Sequence, residues 1–316
     1  MSNLSRRILV AALAIPALLF LAYRGGFAFF GFVALVSALS LLEYHALARS
    51  KGAAPPLLMA VGVGVVINLA FIYDRLSMTI LGALDHLGIA VRAPTMAQFL
   101  LIVLLTAVPL LTIVELLRNR GSALINLAVS VFGWMYYSLF FGSLIGIREI
   151  FNPLDFPVSQ HFAVIGPGVP EEVVATIDRW GGLTVIAILA AVWTCDSAAY
   201  FIGRWRGRHP LFKRVSPNKT WEGAGAGFVA SVGTFLLLQA WFLPYLTIAD
   251  GLFCGVAIGT FGQIGDLAES LLKRDSGVKD SSLLIPGHGG MLDRFDSLVF
   301  VAPVLFLYLD FVVFSY

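Results

Sequence analysis

About nine apolar runs, roughly 8–22, 27–48, 57–73, 97–117, 122–147, 182–202, 223–243, 251–272 and 297–314, take up most of this chain of 316 residues. Several approach the ~20 residues that an α-helix needs to cross a bilayer, and hydrocarbon forces backbone polar groups to pair within each run. Charge is scarce to match. Only 13% of residues are charged, about half the ~25% usual in soluble chains, too few to cover a water-facing surface. The expected fold is all-α, a polytopic transmembrane helix bundle of about nine spans.

The net charge of +2 gives no reason to expect a nucleic-acid partner. Cys195 and Cys254 lie inside apolar stretches and read as small buried hydrophobes, not as a disulfide or metal site. Arg6-Arg7 followed by Ile8 to Ala22 has the outline of a signal peptide. No small-x-small cleavage site follows Leu21 and more spans come at once, so a retained anchor is expected.

The links are short: Arg24-Gly25-Gly26, Lys51-Gly52 with Pro55-Pro56, and Arg118-Asn119-Arg120. Residues 76–96, with Asp85, His86 and Arg92, read as an interfacial or re-entrant piece. Residues 149–181, with Pro153, Pro157, Pro167, Pro170, Glu171 and Glu172, read as an exposed loop. If the N-terminus is cytoplasmic and the spans alternate, Arg24, Arg75, Arg92, Arg148 and Arg179 fall outside, and the rest of the 21 Lys and Arg fall inside. That asymmetry obeys the positive-inside rule. No internal repeat is visible. The chain divides into an N-terminal membrane bundle, 1–181, and a C-terminal membrane domain, 182–316, carrying cytoplasmic site loops.

Basic residues beside spans set topology, which accounts for Arg204, Arg206 and Arg208. Topology does not account for Asp196, Asp266, Glu269, Asp293 and Asp296, since carboxylates hardly affect orientation and are costly among apolar runs. Asp266, Glu269, Ser270 and Lys273 stand at i, i+3, i+4 and i+7, one helix face. A Glu269–Lys273 ion pair explains part of that stripe but not Asp266. Asp196 and Tyr200, four apart, share a face inside a span.

Further on come Lys279-Asp280, Ile285-Pro-Gly-His288-Gly289-Gly290, and Asp293-Arg294-Phe-Asp296. The Pro-Gly and Gly-Gly steps break a helix and expose backbone N–H groups that can cradle anionic oxygens. A helix starting here points Asp293 and Asp296 the same way. Carboxylates converging among Lys and Arg suit Mg²⁺ bound together with substrate phosphates. Zinc is disfavoured because His288 stands alone; that histidine reads equally as a structural residue, a phosphate contact or a proton carrier. In a second basic loop, Lys213 to Gly223, Ser216-Pro217 starts a turn, and Lys219 and Thr220 can meet phosphate. Trp221 can stack on a base, though anchoring at the interface is the commoner use.

With these residues the chain resembles the phosphatidate cytidylyltransferase, or CDP-diacylglycerol synthase, family. The family signature runs unbroken from Ser270 to Asp296: Ser270-Leu-Leu-Lys273-Arg274, Lys279-Asp280, Ile285-Pro-Gly-His288-Gly-Gly290 and Asp293-Arg294-Phe-Asp296. Two upstream blocks are similar, Asp196-Ser-Ala-Ala-Tyr-Phe-Ile-Gly-Arg204 and Ser216-Pro-Asn-Lys219-Thr-Trp-Glu-Gly223, the second carrying Asn218 where relatives often have Lys. The resemblance covers about residues 190–300. It implies transfer of a cytidylyl group from CTP to phosphatidate with Mg²⁺ required. Asp266, Asp293 and Asp296 would hold the metal, with Asp196 a further ligand. Lys273 and His288 would join the carboxylates in catalysis. Ser216, Lys219, Thr220, Trp221, Arg274, Lys279, Gly289, Gly290 and Arg294 would contact substrate. It also implies a bacterial plasma-membrane enzyme with its site on the cytoplasmic side, and leaves open whether a homodimer forms.

Other readings compete. A homologue that activates a different lipid phosphate with CTP is the nearest alternative, since nothing here reads acyl chains. A CDP-alcohol phosphotransferase needs Asp-Gly-x-x-Ala-Arg, and Asp250-Gly251 lacks the Ala-Arg. A transporter for an anionic solute is expected to show paired repeats with broken helices. A scaffold has no use for Asp196, Asp266 and Asp293 together.

Overall fold

The structure, a computed structural model, describes residues 3–85, 93–153, 156–162, 168–282, 284 and 289–315. His288 lies outside the described residues, as do 86–92, which hold His86 and Arg92. The apolar runs coil into helices α1 (Asn3–Arg24), α2 (Gly26–Arg49), α3 (Leu57–Ala70), α4 (Tyr73–Asp85) and α5 (Met96–Arg118). Then come α6 (Ala123–Gly133) and α7 (Phe140–Glu149), fused through a π-helical turn at Trp134–Leu139, and a single turn α8 (Val158–His161). The rest is α9 (Glu171–Arg206), a hairpin of β1 (Pro210–Phe212) and β2 (Ser216–Thr220), α10 (Trp221–Phe242), α11 (Ile248–Asp275), and α12 (Leu292–Tyr308) with a π-helical end at Leu309–Val313.

The all-α bundle expected from the apolar runs is what forms. Among the described residues, seven helices are long and apolar enough to cross a membrane: α2, α5, fused α6–α7, α9, α10, α11, and α12 with its π-helical end. The runs at 8–22 and 57–73 yield shorter apolar helices, Ala11–Arg24 and Leu57–Ala70. Capping boxes start two of the long helices. Thr95 and Gln98 form a capping box on α5, and Thr247 and Asp250 form one on α11. Asp250 thus has a structural task, and also accepts a hydrogen bond from the Tyr308 hydroxyl at 2.6 Å.

Three local readings need correction. The stretch 149–181 is not all loop: α9 begins at Glu171, with Glu171 and Glu172 favourably placed at its positive end. The domain boundary at 181/182 therefore falls inside one continuous helix. Phe151 and Phe156 are also buried, packing their rings against Phe314, because aromatic side chains here have more to gain from the core than from water. The basic loop at 213–223 is partly the β1–β2 hairpin.

Contacts between links gather the helix ends into two sets. At one end Lys51 pairs with Asp275 at 3.2 Å, Arg118 donates to the Ala54 carbonyl at 3.0 Å, and Asn126 accepts from the Ala54 amide at 2.7 Å. At the other, Arg75 pairs with Glu149 at 2.8 Å, and fully buried Arg148 donates to the carbonyls of Ala22 and Tyr23 and to Asp178. Arg148 thereby satisfies C-terminal carbonyls of α1 that have no acceptor role within the helix. The links at 25, 50–56 and 71–72 alternate between these two ends.

Close approach of α9, α10, α11 and α12 depends on glycine. A Cβ on Gly223 of α10 would lie 2.6 Å from the Ala199 carbonyl of α9, and one on Gly265 of α11 would lie 2.5 Å from the Asp296 carbonyl of α12. Small residues let backbones approach where bilayer lipid supplies no hydrophobic drive between helices.

Candidate active site

The C-terminal helices enclose a cavity of about 640 Å³ at the end of the bundle that holds the hairpin, within the usual range for ligand pockets. α9 contributes Asp196, Tyr200 and Arg204, successive positions four apart on one face. β2 contributes Asn218, Lys219 and Thr220, α11 contributes Gln263 and Asp266, and α12 contributes Asp293 and Asp296. Thr220 has a second task, accepting the Gly223 amide at 3.2 Å as the cap of α10.

Four carboxylates therefore meet at one cavity, as the sequence suggested. Asp266 forms an ion pair with Lys219, joining α11 to the hairpin. Asp296 and Asp293 lie one turn apart near the start of α12, and Asp296 accepts from the Ser297 amide at 2.7 Å. Asp196, Asp266 and Asp296 are close enough to repel one another. Lys219 and Arg204 also line the cavity, so its carboxylates outnumber its basic side chains four to two, a lining suited to a cation.

Asp293 is engaged on both oxygens. Oδ1 accepts from Lys273 Nζ at 2.5 Å, and Oδ2 accepts from the Gly290 amide at 2.8 Å and the Ser281 amide at 3.1 Å. Lys273 is buried and also lies 2.8 Å from Glu269, the ion pair expected from their spacing. It braces the wall instead of lining the cavity.

The donor set is carboxylate oxygen alone. Among the described residues no three His, Cys, Asp or Glu side chains converge closely enough to hold a metal ion by themselves. Such a set fits Mg²⁺, which takes one or two carboxylates and fills its other positions with water and substrate phosphate.

Several other sequence-singled residues lie off the cavity. Trp221 is exposed on the first turn of α10, Arg274 donates to the Val278 carbonyl at 2.8 Å, and Lys279 is exposed. Ser216 begins β2 and Arg294 lies on the first turn of α12. Gly289 adopts φ +81°, and the Gly290 amide already serves Asp293. Sequence reasoning passed over Gln263, whose amide donates to the carbonyls of Gly259 and Ala224 and ties α11 to α10. Arg204, read as setting topology and as the end of the block that begins at Asp196, lines the cavity and donates to the Tyr200 hydroxyl at 2.9 Å. Sequence reasoning also missed Glu43 on α2, buried and bonded to the segment before α12. A single acid deep in an apolar run is the signal that flagged Asp196, and it applied equally to Glu43.

An apolar helix bundle with a carboxylate-lined cavity at one end defines an integral membrane enzyme. The chain belongs to the cytidylyltransferase family, whose model matches residues 5–312. It is similar to a Synechocystis phosphatidate cytidylyltransferase, 34% identical over 308 residues, 96% of each chain. It is also 40% identical over 139 residues to the Bacillus subtilis protein of that name, covering 43% of this chain and 51% of the relative. The Staphylococcus epidermidis protein of that name is 46% identical over 114 residues, 36% of this chain and 44% of the relative.

Proposed function

We propose that this protein transfers the cytidylyl group of CTP to phosphatidate, giving CDP-diacylglycerol and pyrophosphate. The observation that carries the reading is that three separate sequence blocks, around Asp196, Lys219 and Asp266–Asp296, meet at one cavity among membrane helices. The names of the relatives agree with it.

An oxygen of the lipid phosphate attacks the α-phosphorus of CTP, and the bond from that phosphorus to the bridging oxygen of pyrophosphate breaks in line. Both reactants are polyanions, so positioning and charge neutralisation supply most of the catalysis. Lys219 and Arg204 line the cavity with positive charge for the phosphates. One or two of Asp196, Asp266 and Asp296 would hold Mg²⁺, which would supply charge neutralisation on the triphosphate and the leaving pyrophosphate. Asp293, with both oxygens engaged, holds Lys273 and the turn before α12. The end carrying the hairpin faces the cytoplasm of a bacterial plasma membrane in this reading, because most Lys and Arg gather there.

Purified protein in phosphatidate-containing micelles, given cytidine-labelled CTP and Mg²⁺, should move label into the organic phase. Label left wholly in water sinks the reading, and label moving only with another lipid phosphate reassigns the acceptor.

A further inference from the structure

Glu43 belongs to α2, in the half of the chain outside the signature blocks. It is 6% exposed, and burying a carboxylate this far is costly unless hydrogen bonds replace water. Among the described residues its hydrogen bonds run to Ser281, Ser282, Met291 and Leu292. Oε1 accepts from the Ser282 hydroxyl at 2.6 Å and the Met291 amide at 2.9 Å. Oε2 accepts from the Ser281 hydroxyl at 2.8 Å and the Leu292 amide at 2.9 Å.

The amides at 291 and 292 open α12, where N–H groups lack intrahelical acceptors and the helix dipole favours an anion. Glu43 thus caps α12 from a helix 248 residues earlier in the chain. Asp293 completes the arrangement from within α12. Its Oδ2 accepts from the Gly290 amide, and the Ser281 hydroxyl lies within donating distance of both carboxylates.

The paired glycines follow from this crowding. A Cβ on Gly290 would collide with Ser281 Oγ and Glu43 Oε2. Gly289 is left-handed at φ +81°, and a Cβ there would lie 2.7 Å from Asp293 Oδ2. Two protein carboxylates already take the amides of Gly290, Met291 and Leu292.

We propose that Glu43 is a positioning residue of the active site. By capping α12 it fixes Asp293, and through Asp293 the ammonium of Lys273, and it sets the start of the helix that points Asp296 into the cavity. Gly289 and Gly290 are glycine to admit the two carboxylates. The catalytic role rests on the cytidylyl-transfer reading above.

Two readouts on full-length protein in detergent test this. The first needs no reaction: trypsin cleavage after Lys279 should quicken about tenfold in E43Q as the segment opens more often, and an unchanged rate overturns the proposal. The second is steady-state transfer of label from CTP to phosphatidate. E43Q should lower kcat about 30-fold or more with KM for CTP within about threefold, the pattern of lost alignment. S282A alone should lower kcat about threefold and add nothing on top of E43Q, since the two residues act through one bond. Wild-type kcat in E43Q, a change confined to KM, or additive losses overturns the proposal. If E43Q fails to fold, S281A and S282A decide: unchanged cleavage and kcat in both overturns it. A wild type that makes no labelled lipid counts against the reaction assigned, while the cleavage readout still judges the positioning.

Discussion

Lys273 on α11 places its ammonium 2.5 Å from Asp293 on α12 and 2.8 Å from Glu269 one turn back on its own helix. One cation thereby holds two buried carboxylates and fastens the end of α11 to the start of α12. Removing it strands both charges, and breaking a buried pair costs roughly 3–5 kcal/mol. K273M should therefore lower the Tm of the detergent-solubilised protein and abolish transfer. K273M/E269Q should recover part of the Tm, because one stranded charge is gone, and none of the activity. A wild-type Tm in K273M contradicts this picture.

The Lys219–Asp266 pair predicts a division of effects. On the proposed reading K219M takes a positive charge away from the cavity, and it should raise KM for CTP about tenfold. D266N removes a carboxylate from the cation-facing group, and should lower kcat about 100-fold and raise the Mg²⁺ concentration for half activity. Kinetics at varied Mg²⁺ separate the two. An unchanged Mg²⁺ requirement in D266N removes Asp266 from that group.

Arg148 makes the opposite prediction. It lies at the far end of the bundle, holding Ala22, Tyr23 and Asp178 together. R148M should destabilise by roughly 1–3 kcal/mol by leaving the Ala22 and Tyr23 carbonyls without their donor, while the fraction that remains folded keeps wild-type kcat. Thermal melting paired with active-site titration checks both halves.

Gly265 tests the helix packing behind the site. Its Cα faces the Asp296 carbonyl so closely that an added Cβ would come within 2.5 Å of it. G265A should force α11 and α12 apart and lower kcat about tenfold or more, since misplacing reacting groups by about 1 Å costs up to 100-fold. Wild-type kcat in G265A shows that α12 can shift without harm to the chemistry.

The bundle was legible in the sequence because a bilayer leaves long apolar runs few conformations other than helix. The carboxylates were legible because acids among such runs are expensive, and Asp196, Asp266, Asp293 and Asp296 do line one cavity. What escaped depends on tertiary contact. Nothing near Glu43 in the sequence tells that its four donors come from 281–292. Gly289-Gly290 looked like an anion cradle, but Glu43 and Asp293 press against that turn. Arg204 and Tyr200 passed for topology and a shared face until α9 was seen to form a cavity wall. Pro170 and the acids after it resembled a loop because a helix N-terminus has the same composition.

The most direct measurement of the central claim follows the two ends of the triphosphate separately. CTP labelled at the α-phosphorus and, in a parallel reaction, at the γ-phosphorus is given to purified protein with Mg²⁺ and phosphatidate. The α label should enter lipid in equal amount to the pyrophosphate released, and the γ label should remain in the aqueous phase. The γ label in lipid, or pyrophosphate released without lipid product, contradicts cytidylyl transfer at this cavity.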